Sequence, residues 1–342
     1  HCMSNKPRVI VTDFIADDLA IERQVLGDDV EIVALNAFSE AEMAGRIDGA
    51  DAVMMYHNIS VTRASIERLT HCKLIVRCGV GIDNVDHAFA ATRGIPVANV
   101  PDYGTEDVAD TAIAMMLSLV RGVHLMNSVL RAPGAGQSGE DWHYTIAVPV
   151  YRIRGRVFGV VGLGRIGTAA ALRARALGFD VAFYDPYKPD GWDKAVGIRR
   201  VETLEELLKQ SFVLSLHVPL TETTRRMIDA KTIAQMPRGS YLINSARGAV
   251  VDTSAIPDAI KSGQLAGAGI DVLEVEPPSA DDPLIKAWRD PSHLCHHRVI
   301  INPHAAFYSE EGLLDMRVKG AEACRRALTG ERIRNVVNGV GG

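Results

Sequence analysis

The feature that most constrains this chain is the run Gly162-Leu163-Gly164-Arg165-Ile166-Gly167. It follows an apolar, β-branched segment, Val157 to Val161, and opens an alanine-rich stretch, Ala169 to Leu177, that leads to a second strand-like run ending at Asp185. A glycine pattern of this kind carries little by itself. Strand, glycine turn, helix and a second strand closed by a carboxylate, in that order, specify a βαβ unit built to hold a dinucleotide. Gly162 permits the tight turn, Gly164 lets backbone approach a pyrophosphate, and Gly167 lets helix and sheet pack closely, with Arg165 and Ile166 at the helix start. The N-terminus of that helix offers unpaired N–H groups and a positive dipole end to phosphates. Asp185, about 20 residues on, suits the adenosine ribose hydroxyls and would repel a 2′-phosphate. Pro186 follows it rather than a basic residue, so NAD is expected rather than NADP.

A chain of 342 residues is long enough for two domains, each with its own core. Before the glycine turn, short runs alternate with amphipathic stretches. Arg8 to Phe14, Glu31 to Leu35, Ala52 to Tyr56, Leu74 to Arg77 and Pro96 to Val100 read as strands, and Glu40 to Ile47 and Arg63 to Leu69 as helices. After the turn the strand candidates are Phe212 to Leu216, Tyr241 to Asn244, Gly269 to Val272 and Val299 to Ile301, and Glu310 to Leu328 is helical. That rhythm predicts parallel sheets with crossover helices, an α/β chain. Thr105 reads as the N-cap of a long helix through Ala109, Ile113, Met116 and Val120, broken by the Gly/Pro-rich Ala132 to Gly139. On composition alone that break is either a domain linker or a surface loop. No repeat or low-complexity tract is visible, which sets solenoids and propellers aside.

Lys plus Arg is 37 against 42 for Asp plus Glu, with no basic face, so nucleic-acid binding by phosphate neutralisation is not expected. The apolar stretch Ala112 to Val120 falls far short of the roughly 20 residues a membrane span needs and reads as a buried helix. Leu117 to Leu125 continues it with spacing suited to core or dimer packing. The five cysteines are odd in number and scattered, so they describe no disulfide framework and fit a reducing cytoplasm. His1 and Cys2, ahead of Met3, read as an appended remnant, and no signal peptide follows. The cluster His293, Cys295, His296 and His297 lacks a second ligand pair at a familiar distance, and no metal is expected.

Three polar residues stand where later strand candidates stop: Arg247 in Asn244-Ser245-Ala246-Arg247-Gly248, Glu276 after Asp271-Val272-Leu273-Glu274-Val275, and His304 in Asn302-Pro303-His304-Ala305-Ala306. Ligands of an open α/β sheet gather outside the carboxyl ends of its strands, so all three can face one crevice. Reduction of a 2-oxo acid by hydride needs its carboxylate gripped, its carbonyl polarised and its oxygen protonated. Arginine supplies a fixed fork of donors for the first two tasks. Histidine supplies the proton and takes it back in reverse, and a carboxylate on its other nitrogen holds the tautomer.

The chain resembles the D-2-hydroxyacid dehydrogenase family, and within it the C-terminal-binding proteins and their bacterial relatives. The likeness runs from about Met54 to Gly330. It rests on Met54-Met55-Tyr56-His57, on Ile75-Val76-Arg77-Cys78-Gly79-Val80-Gly81-Ile82-Asp83-Asn84-Val85-Asp86, on Arg152-Ile153-Arg154-Gly155, on Phe183-Tyr184-Asp185-Pro186-Tyr187, and on Pro303-His304-Ala305-Ala306-Phe307-Tyr308-Ser309-Glu310. It implies two Rossmann-like or flavodoxin-like parallel-sheet domains. A discontinuous substrate-binding domain would comprise 1–103 and 307–342, with an NAD-binding Rossmann domain over 104–306 that encloses the Gly/Pro stretch. It also implies that Arg247, Glu276 and His304 are the catalytic set. Backbone N–H groups around Val80 and Gly81 would receive the substrate carboxylate, with His57, Arg77 and Phe307 lining the pocket. Val108, His217, Val218, Pro219, Ser245, Ala246 and Asp271 would line the cofactor cleft. Many C-terminal-binding proteins carry Trp at the position of Phe307, and the long tail of the animal proteins is absent.

The leading expectation is therefore an NAD-dependent oxidoreductase that interconverts a 2-oxo acid and its D-2-hydroxy acid, a cytoplasmic homodimer with a small-molecule substrate. The alternative is an NAD(H)-sensing, corepressor-like binding protein with a weak or vestigial site. Neither the identity of the 2-oxo acid nor the physiological direction is written in the sequence.

Overall fold

The computed structural model describes residues 6–341, so His1, Cys2 and Met3 lie outside the described residues. The chain divides into two compact units. One runs to Gly104 and resumes at Ser309, and the other is Thr105–Tyr308. The Gly/Pro stretch Ala132 to Gly139 thus lies inside the second unit and does not link two domains.

In the first unit the strands are β1 (Arg8–Val11), β2 (Glu31–Ala34), β3 (Ala52–Met55), β4 (Ile75–Arg77) and β5 (Val97–Asn99). They form one parallel sheet in the order β2-β1-β3-β4-β5. β3 is buried along its whole length, as expected of a strand covered on both faces. The chain leaves β1 toward β2 on one side and returns to pair β3 on the other, so the order reverses between β1 and β3. The helix Glu310–Thr329 belongs to this unit and is tied to the helix Ala20–Leu26 by Arg317. That guanidinium donates to Glu22 at 2.6 and 2.7 Å and to Asp17 at 2.6 and 2.9 Å. Ser309 caps the C-terminal helix by accepting from the Gly312 N–H.

The second unit holds β6 (Val157–Val161), β7 (Asp180–Tyr184), β8 (Arg199–Arg200), β9 (Val213–Leu216), β10 (Ser240–Asn244), β11 (Leu265–Ile270) and β12 (Val299–Ile301). Their order is β12-β11-β10-β9-β6-β7-β8, again parallel, with the reversal between β6 and β9. Each strand alternates between two cores. Phe158, Val160, Val181, Phe183 and Ile243 pack with Ala112, Met116 and Leu119 of the helix Thr105–Val120. Val161, Ala182, Leu214, Leu216 and Leu242 face Leu207, Ile233 and Ile256 on the opposite side.

Several boundaries differ from the sequence expectation, each for a local reason. Thr105 is the first residue of its helix rather than the residue before it. That helix ends at Val120, well before Ala132, because Gly122 at φ 67° turns the chain by 65° into the helix Val123–Leu130. Glu40 to Ile47 forms only a 3-10 turn over Glu40–Met43, since Gly45 at φ 78° leads the chain away. The helix expected from Arg63 stops at Ile66. β11 begins at Leu265, earlier than its β-branched residues suggest. Its glycines are there because a Cβ on Gly269 would lie 3.0 Å from Met115 of the covering helix. No single helix among the described residues is long and apolar enough to cross a membrane.

Candidate active site

The glycine turn lies at the reversal point of the second sheet, at the carboxyl end of β6 beside that of β9. Its three glycines have three different reasons. Gly162 sits at φ 87°, and a Cβ there would come within 2.6 Å of the His217 carbonyl oxygen and 2.7 Å of Val218. A Cβ on Gly167 would lie 2.0 Å from the Gly162 carbonyl oxygen. Both are therefore required by packing within the chain. Gly164 has an ordinary φ of −75°, and a Cβ there would meet nothing within 4 Å, so its bareness leaves space beside the N-terminus of the helix Arg165–Ala176. Arg165 and Ile166 open that helix, whose first-turn N–H groups point into the same space. A pyrophosphate fits this cradle.

Asp185 is oriented by two backbone donors, Leu163 N–H to Oδ2 at 2.9 Å and Tyr187 N–H to Oδ1 at 3.0 Å. Each carboxylate oxygen keeps acceptor capacity for ribose hydroxyls. At the end of β9, His217 shares a hydrogen bond of 2.8 Å between Nε2 and Ser215 Oγ, and burial pushes its pKa down to about 4. It is a neutral ring packed behind the turn. Pro219 accepts from Thr224 Oγ1 at 2.6 Å, which closes the loop after β9. Val108 is buried in the first turns of its helix. The Ser245 hydroxyl is buried and finds no hydrogen-bond partner among the described residues, a polar atom suited to a ligand amide or hydroxyl.

Arg247, Glu276 and His304, the residues nominated from the sequence, follow the ends of β10, β11 and β12. Asn244, fully buried, shapes the first of these loops: it donates to the Arg247 carbonyl at 2.9 Å and accepts from Ala246 N–H at 3.0 Å. Arg247 Nη1 donates to the Ala246 carbonyl at 2.8 Å. Gly248 then lies so close to the next loop that a Cβ would fall 1.9 Å from the Leu273 carbonyl carbon. The arginine loop and the loop bearing Glu276 are thereby in backbone contact. Glu276 Oε1 accepts from Leu273 N–H at 2.8 Å, and Oε2 pairs with His304 Nδ1 at 2.7 Å. Burial raises the Glu276 carboxyl, but the His304 hydrogen bond and charge, the Leu273 N–H and the Arg247 charge outweigh it, and the net shift is downward. Glu276 is thus held as a carboxylate.

His304 adopts φ 51°, a left-handed conformation that a non-glycine residue keeps only when its surroundings impose it. Asp271 imposes it. Its carbonyl accepts from His304 N–H at 2.8 Å, and its carboxylate accepts from Ala305 at 2.9 Å and Ala306 at 3.1 Å. Burial raises the Asp271 carboxyl, at 2% exposure, and these N–H groups work against that rise. Phe307 stands edge-on to the His304 ring at a centroid distance of 6.3 Å. Arg247, Glu276 and His304 are thus gathered at one edge of one sheet. Sequence reasoning missed Asn244, whose only signal was a polar residue ending an apolar strand.

In the first unit, Arg77 ends β4 and is 6% exposed, donating from Nη1 to the Cys78 carbonyl at 3.3 Å. Its guanidinium lies where a Cβ of Gly79 would be, so that glycine makes room for it. Val80 follows, 38% exposed, with Gly81 beside it. His57 follows the end of β3, its ring 4.7 Å from that of Phe14. Among the described residues no group of three or more His, Cys, Asp and Glu side chains is placed to hold a metal. In the cluster near residue 295, His296 Nδ1 meets the Trp288 carbonyl, His297 Nδ1 meets Ser128 Oγ, and Cys295 is buried. A surface cavity of about 390 Å³ lined by Lys6, Arg23, Asp28 and Glu31 lies at the amino end of β2, opposite to the carboxyl ends of its own sheet.

Residues 113–306 match the family model described as D-isomer specific 2-hydroxyacid dehydrogenase, NAD binding domain. The chain is 32% identical over 334 residues to C-terminal-binding protein 1 of Caenorhabditis elegans, covering 96% of this chain and 44% of that protein. It is 33% identical over 332 residues to D-3-phosphoglycerate dehydrogenase of Methanocaldococcus jannaschii, covering 97% and 59%. The chain therefore spans about half the length of these curated relatives. Among solved structures it is similar to D-lactate dehydrogenase of Aquifex aeolicus complexed with NAD and lactic acid, at TM-score 0.84 and 28% identity, covering 97% of this chain and 99% of that one.

Proposed function

The chain belongs to the D-isomer specific 2-hydroxyacid dehydrogenase family, and from that premise we propose that it interconverts a 2-oxo acid and its D-2-hydroxy acid. The single observation that carries this reading is the His304–Glu276 pair at 2.7 Å, held beside the Arg247 loop in the unit that contains the glycine turn. NAD is the cofactor and, when bound, supplies or takes up the hydride at C2 of the substrate. The Gly162–Gly167 turn and the helix behind it hold its pyrophosphate, and Asp185 holds the adenosine ribose. Val108, His217, Val218, Pro219, Ser245 and Ala246 line its remaining length in this proposal. Asp271 acts in part by fixing the His304 turn.

Glu276 keeps the proton of His304 on Nδ1, so Nε2 is the nitrogen that gives a proton to the C2 oxygen during reduction and recovers it during oxidation. Tautomer and orientation follow from the partner, as in other carboxylate-oriented histidines. Arg247 grips the substrate carboxylate and draws charge toward the carbonyl oxygen as it develops. His57, Arg77, Phe307 and the N–H groups of Val80 and Gly81 are assigned to the substrate. A proton-transfer residue of this kind contributes roughly 10² to 10⁴ in rate.

NADH oxidation across 2-oxo acids of graded size tests the proposal. Turnover with at least one of them is expected, falling by at least about 10²-fold in His304→Ala and Arg247→Ala. Unchanged turnover in both variants would reject the mechanism. We also propose a homodimer in a reducing cytoplasm. The exposed apolar residues Val123, Trp142, Tyr144, Val148 and Tyr151 follow one another along one segment of the second unit and suit a second copy. The four described cysteines are unpaired and buried, as suits that compartment. Sedimentation equilibrium giving a monomer at micromolar concentration would remove the dimer. The binding-protein alternative gains no observation of its own.

A further inference from the structure

Three loops at the carboxyl edge of the second sheet are tied together, and a second carboxylate, outside the His304 pair, stands at their junction. The loop after β9 reaches Arg225 and Arg226, the loop after β10 carries Arg247 and Gly248, and the loop after β11 carries Glu274 and Glu276. Glu274 accepts from both arginines of the first loop, from Arg225 Nη1 on Oε1 at 3.3 Å and from Arg226 Nη2 on Oε2 at 3.1 Å. A tight turn presents these cations. Thr221 N–H donates to Thr224 Oγ1 at 2.8 Å, and that hydroxyl donates to the Pro219 carbonyl at 2.6 Å.

An ordinary exposed ion pair contributes little, and two features set this one apart. The first is backbone strain. Arg226 has φ 50°, a left-handed conformation that a residue with a long side chain keeps only where its surroundings impose it. A double grip imposes it here: Arg226 N–H donates to the Ala249 carbonyl at 2.7 Å while its guanidinium reaches Glu274. One residue thus holds the arginine loop by its backbone and the glutamate loop by its side chain.

The second feature is where the bridged carboxylate sits. The peptide joining Leu273 to Glu274 fills the space that a side chain on Gly248 would take. Leu273 N–H donates to Glu276 Oε1 at 2.8 Å, and the other oxygen of that carboxylate meets His304 Nδ1 at 2.7 Å. The described residues 271–282 form no helix or strand, and Val275, between the two glutamates, is 66% exposed. Packing alone therefore leaves this loop free to shift. Resting on the dehydrogenase reading above, we propose that Glu274 is a positioning residue, pinned by Arg225 and Arg226 so that the Leu273 N–H keeps the Glu276 carboxylate aligned on His304.

Initial rates with NADH and glyoxylate, pyruvate or phenylpyruvate, measured beside urea unfolding, test this on the whole chain. In Glu274→Ala, kcat is expected to fall about tenfold, as a small misplacement of a reacting group would give. The urea midpoint should barely move, because the pair is exposed. Arg226→Gly removes one of the two ties together with the strain, so kcat should fall about threefold at a similar midpoint, which covers the case in which Glu274→Ala does not fold. Arg226→Lys keeps a cation in reach of Glu274 and should recover most of that loss. In the Glu276→Ala background, Glu274→Ala should cost less than about twofold, because no carboxylate is left to align. The inference is overturned if kcat is unchanged in Glu274→Ala and Arg226→Gly, or falls only in step with the urea midpoint. It is also overturned if Arg226→Lys is no better than Arg226→Gly, or if the full loss persists in the Glu276→Ala background. If the wild type reduces none of the three acids, the dehydrogenase reading falls and takes this one with it. Turnover that the Glu274 variant leaves unmoved sinks only the positioning role.

Discussion

His217 shows how a single side chain can be set by the turn it supports. Its backbone carbonyl stands against Gly162 and its Cβ against Gly167, and burial pushes the pKa of its ring down to about 4 against about 6.5 for an unperturbed histidine. The unfolded chain therefore binds a proton at this site between pH 6.5 and 4 that the folded chain does not. Stability contributed by the neutral ring is complete above pH 6.5 and declines as pH falls toward 4, by on the order of 3 kcal/mol in all. Urea unfolding at pH 7 and 4.5 checks this. The midpoint should fall more steeply for the wild type than for His217→Gln, which keeps a donor toward Ser215 but does not titrate. Parallel declines would refute the assignment. His304 and Phe14 make a related point: both sit at positive φ, and in both cases a buried aspartate, Asp271 or Asp13, supplies the bonds that keep them there. Sequence could nominate His304 from its chemistry. It could not foresee the positive φ of either residue, because strain at one residue leaves no periodic trace.

At the scale of the element, β6, its turn and the following helix separate two uses of glycine. Gly167→Ala places a methyl 2.0 Å from the Gly162 carbonyl oxygen and should lower the urea-unfolding free energy by about 3 kcal/mol. Gly164→Ala adds a methyl into open space at a helix N-cap. It should cost no more than about 1 kcal/mol of stability, yet raise the NADH dissociation constant at least tenfold, on the order of 1.4 kcal/mol, measured by fluorescence titration. Equal effects of the two on stability would mean that the turn serves the fold alone. The strands that read most clearly, β6 and β7, are short apolar runs rich in β-branched and aromatic residues. β11 read poorly because its sequence, Leu-Ala-Gly-Ala-Gly-Ile, has weak strand propensity and owes its place to a close helix.

Across the whole molecule, segments from near the two ends of the chain meet in the first unit. Arg317 pairs with Glu22, 295 residues away in sequence, and with Asp17, and Glu22 is fully buried. Arg317→Met should cost about 3–5 kcal/mol in urea unfolding, because it strands a buried carboxylate, and adding Glu22→Gln should recover part of the loss. A loss below about 1 kcal/mol would show the pair to be dispensable. By itself the sequence determined the parallel α/β class and the dinucleotide turn, and it nominated Arg247, Glu276 and His304, because propensity, period and motif act over a few neighbouring residues. Only the tertiary structure decided which distant groups meet. The seating of Gly248 against Leu273, the hold of Asp271 on the His304 turn, the bonds of the buried Asp13 carboxylate to the N–H groups of Tyr56 and Asn58, and the pairing of Arg317 all join residues far apart in the chain. Such partners are chosen by how strands order themselves and where a buried charge or N–H finds its complement, and no local pattern records that choice.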